Sequence, residues 1–294
     1  MPKVNNEYPG TKPPTDEEIK QRAIDNYNAP KVTDKKSAEK SKFPTEIIDL
    51  PSKGLLYPKD NPLSQGQIEM KYMTAKEEDI LTSQSYIKQG TVLDKLFRAL
   101  IIGNGEGQRI NYNDLIMGDK NAIMVAARVL GYGKDYEAQI TTPSGNKIVE
   151  QIDLTTFMDK EFDESLITPN QNEFEFELPT SKRVLKFKIL CTRDQTNIEA
   201  ELKGLKKINK GGLDSTLTTR LMHSIISVDG DDSRSTIRNF VNSEFLARDS
   251  RAFREHLSKV QPDVDLKVQC WDDETDESFE VDLPIGVNFF WPGV

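Results

Sequence analysis

Two cysteines, Cys191 and Cys270, and two histidines, His223 and His256, are the soft and imidazole donors that the 294-residue chain offers a metal. A structural zinc site needs four such donors in a tetrahedral array, with pairs only a few residues apart. No two of these four fall at that spacing, so no metal is expected. Asp229-Gly230-Asp231-Asp232 opens like a calcium loop, but it lacks the glycine at the sixth position and the bidentate glutamate at the twelfth. It reads instead as a solvated turn followed by Ser233 as a helix cap. Gly103-Asn104-Gly105-Glu106-Gly107 lacks both the Gly-Lys-Ser/Thr ending and the preceding strand of a phosphate loop, and reads as a helix breaker. Carboxylates are plentiful, yet no pair stands out from a solvated acidic surface, and no Ser/His/Asp order is recognisable. The expectation is therefore a protein that is not an enzyme, with no catalytic residue and no cofactor.

Composition narrows the classes further. The formal net charge is −9, with 30% charged and 36% hydrophobic residues. Such a chain can build a core but carries no general attraction for nucleic acid, which is bound through basic surface. No run of 18 apolar residues is present, so no membrane span is expected, and the polar N-terminus lacks the apolar segment of a secretion signal. Two thiols in a chain of this size fit a reducing compartment.

The elements that would position any site can be read from periodicity. Residues 1–42 hold five prolines among many polar residues, and read as an extended or disordered arm with a possible helix over 15–27. The chain then gives Leu50-Pro51-Ser52-Lys53-Gly54-Leu55-Leu56-Tyr57-Pro58, where Gly54 supplies the positive φ of a turn. Residues 67–73 alternate as a half-buried strand, and Thr74-Ala75-Lys76-Glu77 is a capping box that starts a helix. Helices dominate 75–132. One is expected over 91–102; the next is capped by Asp119 and stops at Gly131, with Arg128 as a surface charge. Hairpins are expected over 136–154, around the Pro143-Ser144-Gly145-Asn146 turn, and over 173–190. A charged helix should follow to about Lys207, and then a Lys/Gly-rich linker at 208–212. An apolar-periodic helix over 213–228 carries Leu217, Leu221, Ile225 and Val228 on one face. Helices near 236–241 and 249–260 precede two alternating strands over 264–284. Cys191 reads as a partly buried thiol, His223 as partly buried and His256 as exposed. The fold class is α+β: a helical core with several β-hairpin units. The divisions are an arm at 1–42, a strand-plus-helical domain at 43–155, a hairpin–helix unit at 156–207, a helical segment at 208–263 and a C-terminal hairpin with an aromatic tail at 264–294.

LPSKGLLYP, a strand and MTAKEEDIL in succession, then LIMGDKNAIMVAARVLGYGKDY and the terminal DLKVQCWDDETDESFEVDLPIGVNFFWP, resemble the T-even-type bacteriophage baseplate hub family. The resemblance covers roughly residues 43–140 and 250–294. In that family the 142–146 turn and the C-terminal hairpin carry cysteine pairs of a zinc ribbon. Here the first turn reads Thr-Pro-Ser-Gly, and the second keeps Cys270 but has Asp273 where a cysteine would stand. The resemblance thus implies a degenerate ribbon whose hairpins pair without metal. It further implies a tail baseplate hub component of the virion, made in the host cytoplasm, that works through contacts with other hub or tail proteins. An assembly chaperone absent from the mature virion is the alternative. Aromatic residues are favoured interface anchors, so Phe289, Phe290 and Trp291 are the first candidates for partner binding, with packing on their own β-hairpin as the alternative. Pro51, Lys53, Gly54 and Tyr57, as a shaped loop, are the second.

Overall fold

The computed structural model describes residues 44–208, 214–283 and 285–290. The 1–42 arm, the core of the expected 208–212 linker and Trp291 therefore lie outside the described residues. The described segments belong to one unit and share one hydrophobic cluster, from Leu50 to Phe290. The architecture is α+β, with eight helices and four small antiparallel sheets among the described residues.

The first sheet joins β1 (Thr45–Asp49), β2 (Gln67–Lys71) and β3 (Ile101–Gly103), with β2 in the centre. Alternation in β2 buries Ile68 and Met70. Glu77 reaches back to the Thr74 amide at 3.1 Å and starts α1 (Ala75–Thr82) as the capping box predicts. Helices α2 (Gln84–Gln89), α3 (Val92–Leu100) and α4 (Met117–Tyr132) follow. The helix expected to run to residue 102 ends at Leu100, because Ile101 pairs with Met70 and the backbone enters β3. The expected stop at Gly131 moves to Gly133, which takes φ +87°.

Strands β4 (Asp135–Thr141) and β5 (Lys147–Asp153) form the expected hairpin. The third sheet contains a difference from the sequence reading. β6 (Phe174–Glu177) and β7 (Val184–Phe187) pair as expected, and α5 (Thr192–Ile208) follows. The helix expected over 213–228 is instead α6 (Thr216–Ser224) followed by β8 (Ile225–Val228), which pairs with β7. Three of the four residues Ile225-Ile226-Ser227-Val228 are β-branched and fit a pleated surface better than a helix, and β7 offers them an open edge. Ser233 caps α7 (Arg234–Asn239) by accepting the Thr236 amide, and a π-helical turn (Phe240–Glu244) leads to α8 (Ala247–Val260). The buried Asp249 carboxylate of α8 accepts the Thr180 and Ser181 amides at 2.8 and 2.9 Å, docking the β6–β7 turn. The last sheet is β9 (Lys267–Asp272) with β10 (Glu277–Asp282).

The starts of α4 and α5 lie side by side. The Met117 amide donates to the Leu190 carbonyl at 3.1 Å, and the Thr192 amide to the Leu115 carbonyl at 2.7 Å. Gly118 lies inside α4 where the chain after α8 crosses it. A Cβ built there would sit 1.9 Å from the Pro262 carbonyl oxygen. Backbone cannot yield as a flexible side chain does, so overpacking of about 1–3 kcal/mol is expected for Gly118→Ala. Gly204→Ala in α5, where a Cβ meets nothing within 4 Å, should instead stabilise by about 0.5–1 kcal/mol. Urea unfolding of the two variants beside the parent protein measures both signs.

Candidate functional site

The 50–58 loop is built around a buried carboxylate. Asp119, in the first turn of α4, has no exposed surface. It accepts the Ser52 amide at 3.0 Å, the Ser52 hydroxyl at 2.7 Å and the Tyr57 hydroxyl at 2.6 Å. The Tyr57 oxygen in turn accepts the Ile116 amide at 3.0 Å. The loop reaches this geometry through two consecutive residues with positive φ, Lys53 at 51° and Gly54 at 77°. At Gly54 a Cβ would lie 2.3 Å from the Ser64 carbonyl oxygen, so glycine is required there by space as well as by φ. Burial pushes the Asp119 carboxyl up to about 6 against the hydrogen bonds from Tyr57 and Ser52. Burial also raises Tyr57 well above the ordinary phenol range, with the Asp119 charge adding to it.

This arrangement corrects the reading of Asp119 as the helix cap, since α4 already begins at Met117 with Ile116 at the cap position, and of Arg128 as a surface charge. Arg128 is also buried. Its Nε donates to the Phe289 carbonyl and its Nη1 to the Gly133 carbonyl, each at 3.2 Å. Its guanidinium lies over the Tyr132 and Tyr136 rings at 5.1 and 5.6 Å. Desolvation lowers its pKa.

Of the candidate anchors, Phe289 and Phe290 are each 1% exposed. Phe289 packs on Tyr136 of β4 with ring centroids 4.9 Å apart, and Phe290 meets Phe289 edge-on. As placed, both are internal core and neither is free to meet a partner. Their apolar area is satisfied by α4 and the β4–β5 hairpin. Pro51, Gly54 and Tyr57 are buried as well, and only Lys53 of that set is exposed, where it pairs with Glu164 at 2.5 Å. The shaped loop is therefore a buttress on α4 with one surface cation.

The two turns that the resemblance equates with ribbon knuckles do come together. Asp272 of β9 is buried and accepts the Ser144 hydroxyl at 2.9 Å and the Ser144 amide at 3.1 Å, together with the Glu274 amide at 3.1 Å. The Thr142 and Ser144 hydroxyls are 2.8 Å apart, and Asn146 donates to Glu274 at 2.7 Å. Burial alone would raise the Asp272 carboxyl, but the Ser144, Glu274 and Thr142 hydrogen bonds together hold it below the ordinary range. Among the described residues no three His, Cys, Asp or Glu side chains cluster as metal ligands. Cys270 is a buried thiol, raised by desolvation, and Cys191 is half-buried and donates to Asp194 at 3.2 Å.

His223 lies 3.0 Å from Glu201. His256 was expected to be exposed, but it is half-buried and stacks on Phe176 at 4.4 Å; burial, then Lys259, lowers its pKa. In the Gly103–Gly107 stretch, the Asn104 side chain closes the loop by accepting the Glu106 and Gln108 amides. Asp229 pairs with Arg183, and Asp231 accepts from Ser233 and Thr236. The polar groups missed by sequence reading are Ser52, Asp119, Arg128 and Asp272. Their one local signal is that Ser52 and Tyr57 flank a required glycine, which announces a shaped loop without naming its acceptor.

Comparison with family models, with curated proteins and with solved structures finds no match.

Two measurements test these junctions. Because the folded pKa of Asp119 is raised, its stabilising protonation is fully present below about pH 4 and is lost as pH rises through about 6. The unfolding free energy of wild type minus that of Asp119→Asn should fall by about 3 kcal/mol between about pH 3 and about pH 7; a flat difference would show that Asp119 does not titrate there. For the second junction, Asp272→Ala should speed amide exchange at Ser144 and Glu274 by at least about tenfold, while α4 amides stay protected. Uniform exchange in wild type and variant would deny that Asp272 joins the turns.

Proposed function

We propose that the chain is a component of a bacteriophage tail baseplate hub, acting through contacts with other hub or tail proteins rather than as a catalyst. The observation that carries this reading is that the separate stretches bearing the hub resemblance form one connected body. The 50–58 loop is joined to the 115–135 stretch through Ser52, Tyr57 and Asp119. That stretch is joined to the C-terminal segment through Arg128 and Phe289, and the β4–β5 turn to β9 through Ser144 and Asp272. Among the described residues no helix is long and apolar enough to cross a membrane. The net charge of −9 would steer the chain toward basic partner surfaces.

The test is quantitative mass spectrometry of purified virions beside the infected-cell lysate. The expected result is a fixed stoichiometric ratio to hub or tail-tube proteins in virions. Presence with hub proteins in the lysate but absence from virions would make it an assembly chaperone instead. Co-purification with neither would end the hub reading.

A further inference from the structure

An apolar cavity of about 120 Å³ opens between α6, α8 and the end of the β7 segment. Ile189, Leu190, Leu221 and Leu257 line its interior. Leu217, 46% exposed, and the exposed Arg254 form its rim, and the half-buried Arg220 one wall. The volume exceeds that of a water site several times over, since one water needs roughly 10–15 Å³ on the same measure. It suits a single large side chain.

The two arginines set the chemistry of what enters. Arg220 Nη1 donates to the Gln195 amide oxygen at 2.8 Å, and Arg254 Nε to the Ser250 carbonyl at 3.3 Å. Both forks are thus oriented by neutral acceptors. Among the described residues neither pairs with a carboxylate, although the chain carries 48 acidic side chains against 39 basic ones. A guanidinium has five donors in a planar fork that matches a carboxylate, and arginine is enriched among residues that dominate binding energy. Two such forks, Arg254 on the rim and Arg220 on the wall of an apolar pocket, are a local charge reversal in an otherwise acidic protein. At physiological salt the screening length is about 8 Å, so this local pair outweighs the distant net charge for a docked segment.

We infer that this groove docks an acidic–apolar segment of a partner polypeptide, with one large apolar side chain filling the cavity and flanking side-chain carboxylates meeting Arg220 and Arg254. The inference stands on the groove alone, so absence of the protein from virions would leave it intact.

The experiment is a fluorescence-anisotropy titration of a dye-labelled peptide with the full chain. The peptide is blocked at both ends and has a leucine between aspartates, so that side chains are its sole carboxylates. Binding is expected to weaken as salt rises. Arg254→Glu, Arg220→Glu, or serine for the peptide's leucine should each weaken it by at least about tenfold. Arg254→Glu should gain affinity for the matching lysine-flanked peptide. Because Arg254 is exposed, circular dichroism of that variant should match the parent. No binding at millimolar peptide, or equal binding by parent and Arg254→Glu, would overturn the inference. So would self-association of the parent that Leu217→Glu abolishes, because the occupant would then be a second copy of the chain.

Discussion

The Asp119 carboxylate is the contact on which the rest of this structure depends. It removes one charge from water and receives three donors in return, two of them from Ser52 and one from Tyr57. A buried carboxylate without such partners would cost several kcal/mol, so the loop and the helix are each costly without the other. Around it converge the 50–58 loop, the first turn of α4, the paired start of α5 and the Pro262 crossing that excludes any side chain at Gly118. Four segments distant in sequence thereby share one rigid corner. The same burial that makes the corner specific raises the Asp119 pKa and makes it sensitive to pH.

A second corner uses the same physics with different groups. The resemblance implies metal-ligating cysteines at two places where this chain has the turn Thr142-Pro143-Ser144-Gly145 and, at the end of β9, Cys270-Trp271-Asp272-Asp273. Here Asp272 receives three hydrogen bonds, two of them across the junction from Ser144. A charged acceptor with several donors is among the stronger non-covalent staples. Nearby, Arg128 anchors the Phe289 backbone, and Tyr136 receives its ring. Phe289 and Phe290 are therefore structural parts of the α4 face.

That shift changes where binding can reside. The described surface exposes Leu217 and Arg254 on the rim of an apolar groove, and Lys53 on the outside of an otherwise buried loop. An arginine-lined groove that is already formed in the folded chain is suited to docking, because little conformational entropy is lost when a preformed surface binds. The hub reading and the groove both describe a protein that works by contact, though each rests on its own observations.

What the sequence determined by itself was local. The Thr74–Glu77 capping box, the alternation of β2, the hairpin turns at 143–146 and 179–182 and the Ser233 cap each depend on residues within a few positions of one another, and each forms as its pattern predicts. The α+β class follows from the sum of those elements. The tertiary structure alone decided the rest. Ile225 and Val228 keep helical spacing with Leu221, yet lie in β8 because β7 presents an unpaired edge. Asp119 and Arg128 look like ordinary helix polar residues, and only the packing of distant segments over them makes one a buried acceptor and the other a buried donor. Phe289 and Phe290 could be read as partner anchors or as packed on their own hairpin, and only the tertiary structure sets them against Tyr136 and α4. Periodicity encodes which face of an element is apolar, but it carries no record of which other element will cover that face.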